Sequence, residues 1–257
     1  MTIVTFMSDF GNEDHYVATV KAALLKNNSA IRILDISHTI TPFDIGHAAY
    51  VLRHAFPHFP EGSVHLVAID PSDKIDTRII ALRLQDHYFI GSDTGIFSII
   101  SEQEPDEIIE ITFSPSTFLA RDVLAPVAAL LATGTPLHSL GETTRTHRKL
   151  FARQPKVTKR EIVGNIIRVD HFGNLITNIR RVDFDKIQEL NGHVPFEVQV
   201  GRETYRRFHE NYDEADPGDC YVLFNTDGLL QIGINKGHAA QLLGLRLDAP
   251  IYIQFNP

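Results

Sequence analysis

Short apolar runs rich in β-formers alternate with amphipathic stretches over the first half of the chain. Residues 3–7 form the first such run, which stops at the polar turn Ser8-Asp9-Phe10-Gly11. From 14 to 26, Tyr16, Val20, Ala23 and Leu24 fall near helical spacing and predict a helix. Further strands are predicted at 31–36, 64–69, 79–84 and 88–90. Helices are predicted at 44–55, behind Pro42, and at 122–132, with Pro126 in the first turn and Gly134 past the end. This alternation predicts a layered α/β domain with a mainly parallel sheet.

The texture changes after a polar, basic stretch at 145–160, which reads as a linker. Beyond it, runs at 162–169, 196–200, 221–224, 229–234 and 250–255 read as short strands. Turns such as Asp216-Pro217-Gly218-Asp219 and Asp227-Gly228 separate them. The expectation is a larger N-terminal α/β domain over 1–155 and a smaller β-rich, barrel-like domain over 156–257.

Composition narrows the function classes. With 24 Lys+Arg against 32 Asp+Glu, the formal net charge is −8. A general nucleic-acid binder needs a basic footprint, so that class is set aside. The single cysteine, Cys220, permits no disulfide within one chain and lies in a strand-like run, where a structural thiol is expected. No apolar run approaches the roughly 18–20 residues of a membrane helix, and the N-terminus lacks a basic leader pattern. A cytoplasmic protein without membrane contact is expected.

Candidate chemistry is sparse. The 13 histidines are scattered and none forms a zinc-ligand spacing with cysteine, so no metal is expected. There is neither a Walker loop nor a G-x-G-x-x-G, and no serine sits in a nucleophile elbow. Asp9, Asp70 and Asp93 each follow a predicted strand. In open α/β sheets ligands gather at the carboxyl ends of strands, so the three can converge on one crevice. Aspartate at a turn is equally ordinary turn chemistry. Arg78 and Arg121 are available to pair with these carboxylates, either to orient water or simply as structural ion pairs.

The ordered motifs carry more. They begin with Thr5-Phe6-Met7-Ser8-Asp9-Phe10-Gly11-Asn12, Leu34-Asp35-Ile36-Ser37-His38 and Ile40-Thr41-Pro42-Phe43-Asp44. Phe59-Pro60-Glu61-Gly62, Asp70-Pro71, Arg121-Asp122 and Ala125-Pro126 follow. The sharpest is Asp170-His171-Phe172-Gly173-Asn174-Leu175-Ile176-Thr177-Asn178, completed by Asn225-Thr226-Asp227-Gly228 and Asn235-Lys236-Gly237-His238-Ala239. Together they resemble the S-adenosylmethionine hydroxide adenosyltransferases, relatives of fluorinase and chlorinase, over nearly the whole chain. The resemblance implies attack of a small nucleophile on C5′ of S-adenosylmethionine (SAM). The hydrolytic members use water and release adenosine and L-methionine. It also implies a homotrimer, with each site shared between the first domain of one subunit and the second domain of its neighbour.

Carried over residue by residue, Asp9 matches the carboxylate that holds the ribose hydroxyls, and Asp14 a polar position near the methionine end. Phe43 matches an aromatic wall by the ribose and sulfur. Asp170 matches the position receiving the methionine ammonium, and Thr226 the one meeting its carboxylate. Asn174 matches an adenine contact, Tyr212 a stacking aromatic, and Asn235 and Ala239 the adenine edge. Asp70 and Arg78 match catalytic positions, with Asp70 where halogenating members carry an aromatic. A carboxylate repels halide and accepts a hydrogen bond from water, which favours hydrolysis with no cofactor.

Three departures cluster on the nucleophile side. The family's Asp-Pro-Gly-Val-Gly turn is replaced by Asp70-Pro71-Ser72-Asp73-Lys74-Ile75, without glycine. Its Pro-Asp-Asn-Gly is Ser92-Asp93-Thr94-Gly95, and the histidine of its Thr-Phe-His-Gly-Arg-Asp is Leu119. Leucine cannot transfer a proton. Three readings follow: a hydrolase working without that histidine, an enzyme with an altered nucleophile or substrate, and a non-catalytic SAM- or adenosine-binding protein.

Overall fold

Apolar side chains throughout Val4–Met7 bury strand β1 (Ile3–Ser8) on both faces, as a central parallel strand requires. The structure, a computed structural model, describes residues 3–69 and 78–256. It divides between Ala152 and Arg153 into two units, inside the segment read as a linker.

In the first unit β1 leads through α1 (Tyr16–Asn27), β2 (Arg32–Ser37) and α2 (Ile45–Ala55) to β3 (Val64–Ala68). The hairpin β4 (Ile79–Leu84) and β5 (His87–Ser92) follows, then β6 (Glu107–Ile111), α3 (Ala125–Ala132) and β7 (Glu142–Thr143). The sheet order is β2-β1-β3-β5-β4-β6-β7. The expected parallel sheet occupies β2-β1-β3-β5, and the pairings of β4 with β5, β4 with β6, and β6 with β7 are antiparallel. Helices α1 and α3 cover one face, with Val20, Leu24, Ala125 and Ala128 in the core. Helix α2 covers the other with Ala48, Ala49 and Leu52. Asp44 caps α2 by accepting from the His47 amide at 2.9 Å.

The second unit runs β8 (Lys156–Val157), β9 (Glu161–Val169), β10 (Leu175–Arg180), α4 (Arg181–Asn191), β11 (Phe196–Val200) and β12 (Glu203–Tyr205). It ends with β13 (Cys220–Phe224), β14 (Leu229–Ile234), α5 (Ala239–Leu242) and β15 (Pro250–Phe255). Its sheet, ordered β12-β11-β15-β9-β10-β14-β13, is antiparallel and barrel-like around one apolar core. Helix α4 was not anticipated. It forms because Phe184 and Ile187, three apart, dock into that core while its charged residues face outward.

Candidate active site

In the first unit, parallel β1, β3 and β5 bring Asp9 and Asp93 to the same edge of the sheet, on strands separated only by β3. Adjacent strands lie about 5 Å apart, which spaces the two chain positions by roughly 10 Å. Asp70 lies outside the described residues.

Asp9 is tied into its loop. Its Oδ2 accepts the Phe43 amide at 3.0 Å. Phe43 adopts φ 63°, a left-handed conformation rare for a bulky residue, and its ring is 73% exposed. The carboxylate thus helps hold a strained backbone that displays an aromatic ring. Behind Asp9, Ser8 Oγ lies 2.7 Å from His38 Nδ1, His38 Nε2 lies 3.2 Å from Asp35 Oδ1, and Lys21 donates to Asp35 Oδ2 at 2.6 Å. The His38 carbonyl also accepts from the Gly11 amide at 2.8 Å. His38 therefore brackets Asp9 and Phe10 from both sides. Burial keeps its imidazole pKa below the ordinary value, against the pull of Asp35. Asp14 is exposed just ahead of α1.

Arg78 stands opposite Asp93 because Ile79 pairs with Ser92 in the β4–β5 hairpin. Its Nη1 donates to Asp93 Oδ2 at 3.1 Å, its Nε to Glu110 Oε2 at 2.9 Å, and its Nη2 to the Thr146 carbonyl at 3.3 Å. The second oxygen of Asp93, whose side chain is only 4% exposed, accepts from the Arg148 amide at 2.8 Å. Arg78 is thus a partner of Asp93 and Glu110 among the described residues. Arg121 pairs instead with Asp122 at 2.6 Å and lies over the Phe118 ring. Leu119 is buried in the core under α1 and α3, so no water-facing group occupies the family's histidine position. A π turn (Ala120–Leu124) follows it and runs directly into α3.

In the second unit the turn between β9 and β10 builds a closed polar network. Asp170 Oδ1 accepts from the Phe172 and Asn174 amides, each at 2.9 Å, and Oδ2 accepts from Asn174 Nδ2 at 2.8 Å. Asn174 Oδ1 in turn accepts from the Tyr221 hydroxyl at 3.0 Å. Tyr221 also hydrogen-bonds Gln231, whose Oε1 accepts from Asn225 Nδ2 at 3.4 Å. The chain of contacts therefore reaches the turn that carries exposed Thr226. Burial raises the Tyr221 pKa, which keeps its hydroxyl a donor. Two glycines make room: a Cβ at Gly233 would stand 2.2 Å from the Tyr221 hydroxyl, and one at Gly173 would stand 2.3 Å from the His238 ring.

The remaining expected residues separate. The Tyr212 ring is 58% exposed, 6.5 Å from that of Tyr221. Asn235 spends its amide on the Ala215 carbonyl at 2.8 Å, bracing the turn that carries Tyr212. Ala239 is wholly buried in the core, so its side chain offers nothing to a ligand. Tyr221 and Gln231 were not singled out from sequence, although a glutamine inside the apolar run of β14 marks a polar patch on that strand. Cys220 is half-buried, and burial pushes its thiol pKa up, as a structural thiol requires. Among the described residues no group of three His, Cys, Asp or Glu is placed to hold a metal. No described helix is long and apolar enough to cross a membrane. A cavity of about 620 Å³ beside α4, lined by Phe184, Gln188 and Arg206, contains none of the expected residues.

An α/β unit with a carboxylate behind β1, followed by a barrel-like unit with an Asp–Asn–Tyr network, defines a two-domain small-molecule-binding architecture. Residues 4–141 match the SAM hydroxide adenosyltransferase N-terminal domain and residues 164–252 the C-terminal domain. The chain belongs to the SAM hydroxide adenosyltransferase family. It is 32% identical to the (R)-S-adenosyl-L-methionine hydrolase of Thermus thermophilus, over 98% of this chain and 99% of that one. A fluorinase from an Actinoplanes species is 29% identical over 98% and 97% of the two chains. Among solved structures, an uncharacterized conserved protein from Thermotoga maritima superposes with a TM-score of 0.87 at 32% identity, covering 98% of this chain and 99% of that one.

Proposed function

We propose that this protein hydrolyses S-adenosyl-L-methionine to adenosine and L-methionine. Water attacks C5′, the C5′–S bond breaks with its electron pair passing to sulfur, and methionine leaves as a neutral thioether. The leaving group is already cationic, so the protein's task is to hold the substrate and present a desolvated nucleophile in line. The sulfonium epimer follows the name of the relatives, which specifies (R).

The observation that carries this reading is the retention of both recognition halves in one chain. Asp9 offers a cis-diol two acceptor oxygens beside the exposed Phe43 ring. The Asp170–Asn174–Tyr221 network presents a fixed carboxylate and amide. In this reading Asp170 takes the methionine ammonium, Thr226 and Asp14 the methionine end, and Asn174, Tyr212 and Asn235 the adenine. Ala239 contributes only through the backbone it anchors. Asp70 orients the water, and Arg78 acts on it through Asp93. The exposed aromatics Phe43, Phe172 and Tyr212 support a homotrimer in which neighbouring subunits complete each site. The enzyme works in the cytoplasm on a small molecule, without cofactor, metal or nucleic acid.

Incubation with each SAM epimer, followed by chromatography, tests the reading. Adenosine and methionine in equal amounts from the (R) epimer are expected, and they should be lost in Asp70→Ala. Intact ligand that still raises the melting temperature would replace hydrolysis by binding alone.

A further inference from the structure

The Asp93 end of the sheet holds buried polar atoms that nothing satisfies. His147 is 8% exposed, and both its ring nitrogens are buried without a partner among the described residues. The hydroxyls of Ser92 and Thr94, on either side of Asp93, are also buried and unpartnered. A neutral imidazole carries one donor and one acceptor, and native interiors rarely leave both unmade. Unmet capacity at this density calls for a water or a ligand atom.

The chain around His147 is not a loose linker. Thr146, immediately before it, accepts from Arg78, and Arg148, immediately after it, donates to Asp93. Leu150 closes over Gly95, where an added Cβ would meet its side chain at 2.5 Å. His147 is thus carried on a clamp that grips both members of the Arg78–Asp93 pair. At the position where relatives place a histidine, Leu119 is buried among apolar side chains. Both the departure and the unexplained imidazole belong to the first unit.

We propose that His147 is the proton acceptor for the attacking water, doing from the clamp segment what the family's missing histidine does from the helix end. The inference rests on the hydrolytic reading above. As the water oxygen bonds to C5′ and the C5′–S bond breaks, one water proton passes to a ring nitrogen of His147. The imidazolium then releases it to solvent, so no oxidant, reductant or metal enters the step. Burial and the positive charges of Lys149 and Arg78 keep the ring neutral, against the pull of Asp93 and Glu104, which leaves it in the form a base requires.

The test is steady-state hydrolysis of (R)-SAM by the full chain. His147→Gln should lower kcat by about 10²–10⁴ while KM and the ligand-induced rise in melting temperature stay near wild type. Added imidazole should restore turnover to His147→Ala. The wild-type kcat should fall on acidification through an inflection below pH 6.5, and this arm needs no folded variant. Wild-type turnover with kcat of His147→Gln within threefold, or with a flat wild-type profile, overturns the role of His147 and leaves the proposed function standing. Wild type that binds the ligand but releases no adenosine overturns both.

Discussion

The closed network of the second unit and the open end of the first handle buried polar groups in opposite ways. Around Asp170, each donor from Asn174 and Tyr221 has an acceptor, and glycines leave no space for rearrangement. Around Asp93, a fully engaged ion pair sits beside an imidazole and two hydroxyls that have no partner. A closed network fixes a shape and suits recognition of an invariant ligand. An open one has capacity to accept a small mobile molecule, which is what the nucleophile of this reaction is.

Acid sharpens the contrast most. His65 and His87, unlike His147, are satisfied: Thr5 Oγ1 lies 2.7 Å from His65 Nδ1, and His65 Nε2 lies 3.0 Å from His87 Nδ1. Burial and the neighbouring His87 push His65 down to about 3, and burial also lowers His87. The folded protein therefore keeps these rings neutral while the unfolded chain protonates near its ordinary value. Their stabilisation is complete above about pH 6.5 and falls as pH drops through the window toward 3, by about 1.4 kcal/mol per pH unit for each excluded proton. Denaturant midpoints measured between pH 7 and 4 should show that slope, and His65→Asn should flatten it.

Next in size is Arg78→Ala. It leaves the buried Asp93 carboxylate and Glu110 without their cation, at about 2–3 kcal/mol of stability, below the range for a fully buried pair because Arg78 is partly exposed. Arg78→Met combined with Asp93→Asn should recover most of the loss in the same denaturation experiment. A near-zero cost for Arg78→Ala would mean the pair is not structural.

Asp9→Ala should weaken binding of substrate or adenosine by about 1–3 kcal/mol in calorimetry through lost charge-assisted hydrogen bonds. It also releases the Phe43 amide, so Phe43→Gly, which suits φ 63° but removes the ring, separates strain from contact. An unchanged affinity in Asp9→Ala would break the ribose assignment.

The smallest effects should come from the closed side. Tyr221→Phe leaves Asn174 Oδ1 short of a donor, at about 1 kcal/mol of stability and binding. If ligand affinity in Tyr221→Phe matches wild type, the network serves the fold and not the ligand.

The repeating strand and helix pattern made the first unit legible, because each buried parallel strand shows as a continuous apolar run ending at a polar turn. Asp9, Phe43, Asp170 and Asn174 were legible through ordered motifs, and the structure groups them as Asp9 with Phe43 and Asp170 with Asn174. What escaped depends on contacts distant in sequence. The polar stretch around Arg145–Thr146–His147 has no periodicity, so nothing local reveals that its backbone grips Arg78 and Asp93 from β-strand ends more than 50 residues away. Tyr221 read as one more strand residue, since its role comes from Asn174, 47 positions earlier. Helix α4 was readable from the spacing of Phe184 and Ile187 but was hidden by the surrounding strand signals. Ala239 fits its motif yet faces the core, because a motif records position and not the direction of a side chain.

The most direct measurement is turnover of (R)-S-adenosyl-L-methionine in ¹⁸O-labelled water, with both products analysed by mass spectrometry. Attack at C5′ predicts one ¹⁸O atom in the 5′-hydroxyl of adenosine and none in methionine, formed in equal amounts. Unlabelled adenosine, label in the amino-acid product, or substrate recovered intact would contradict the account.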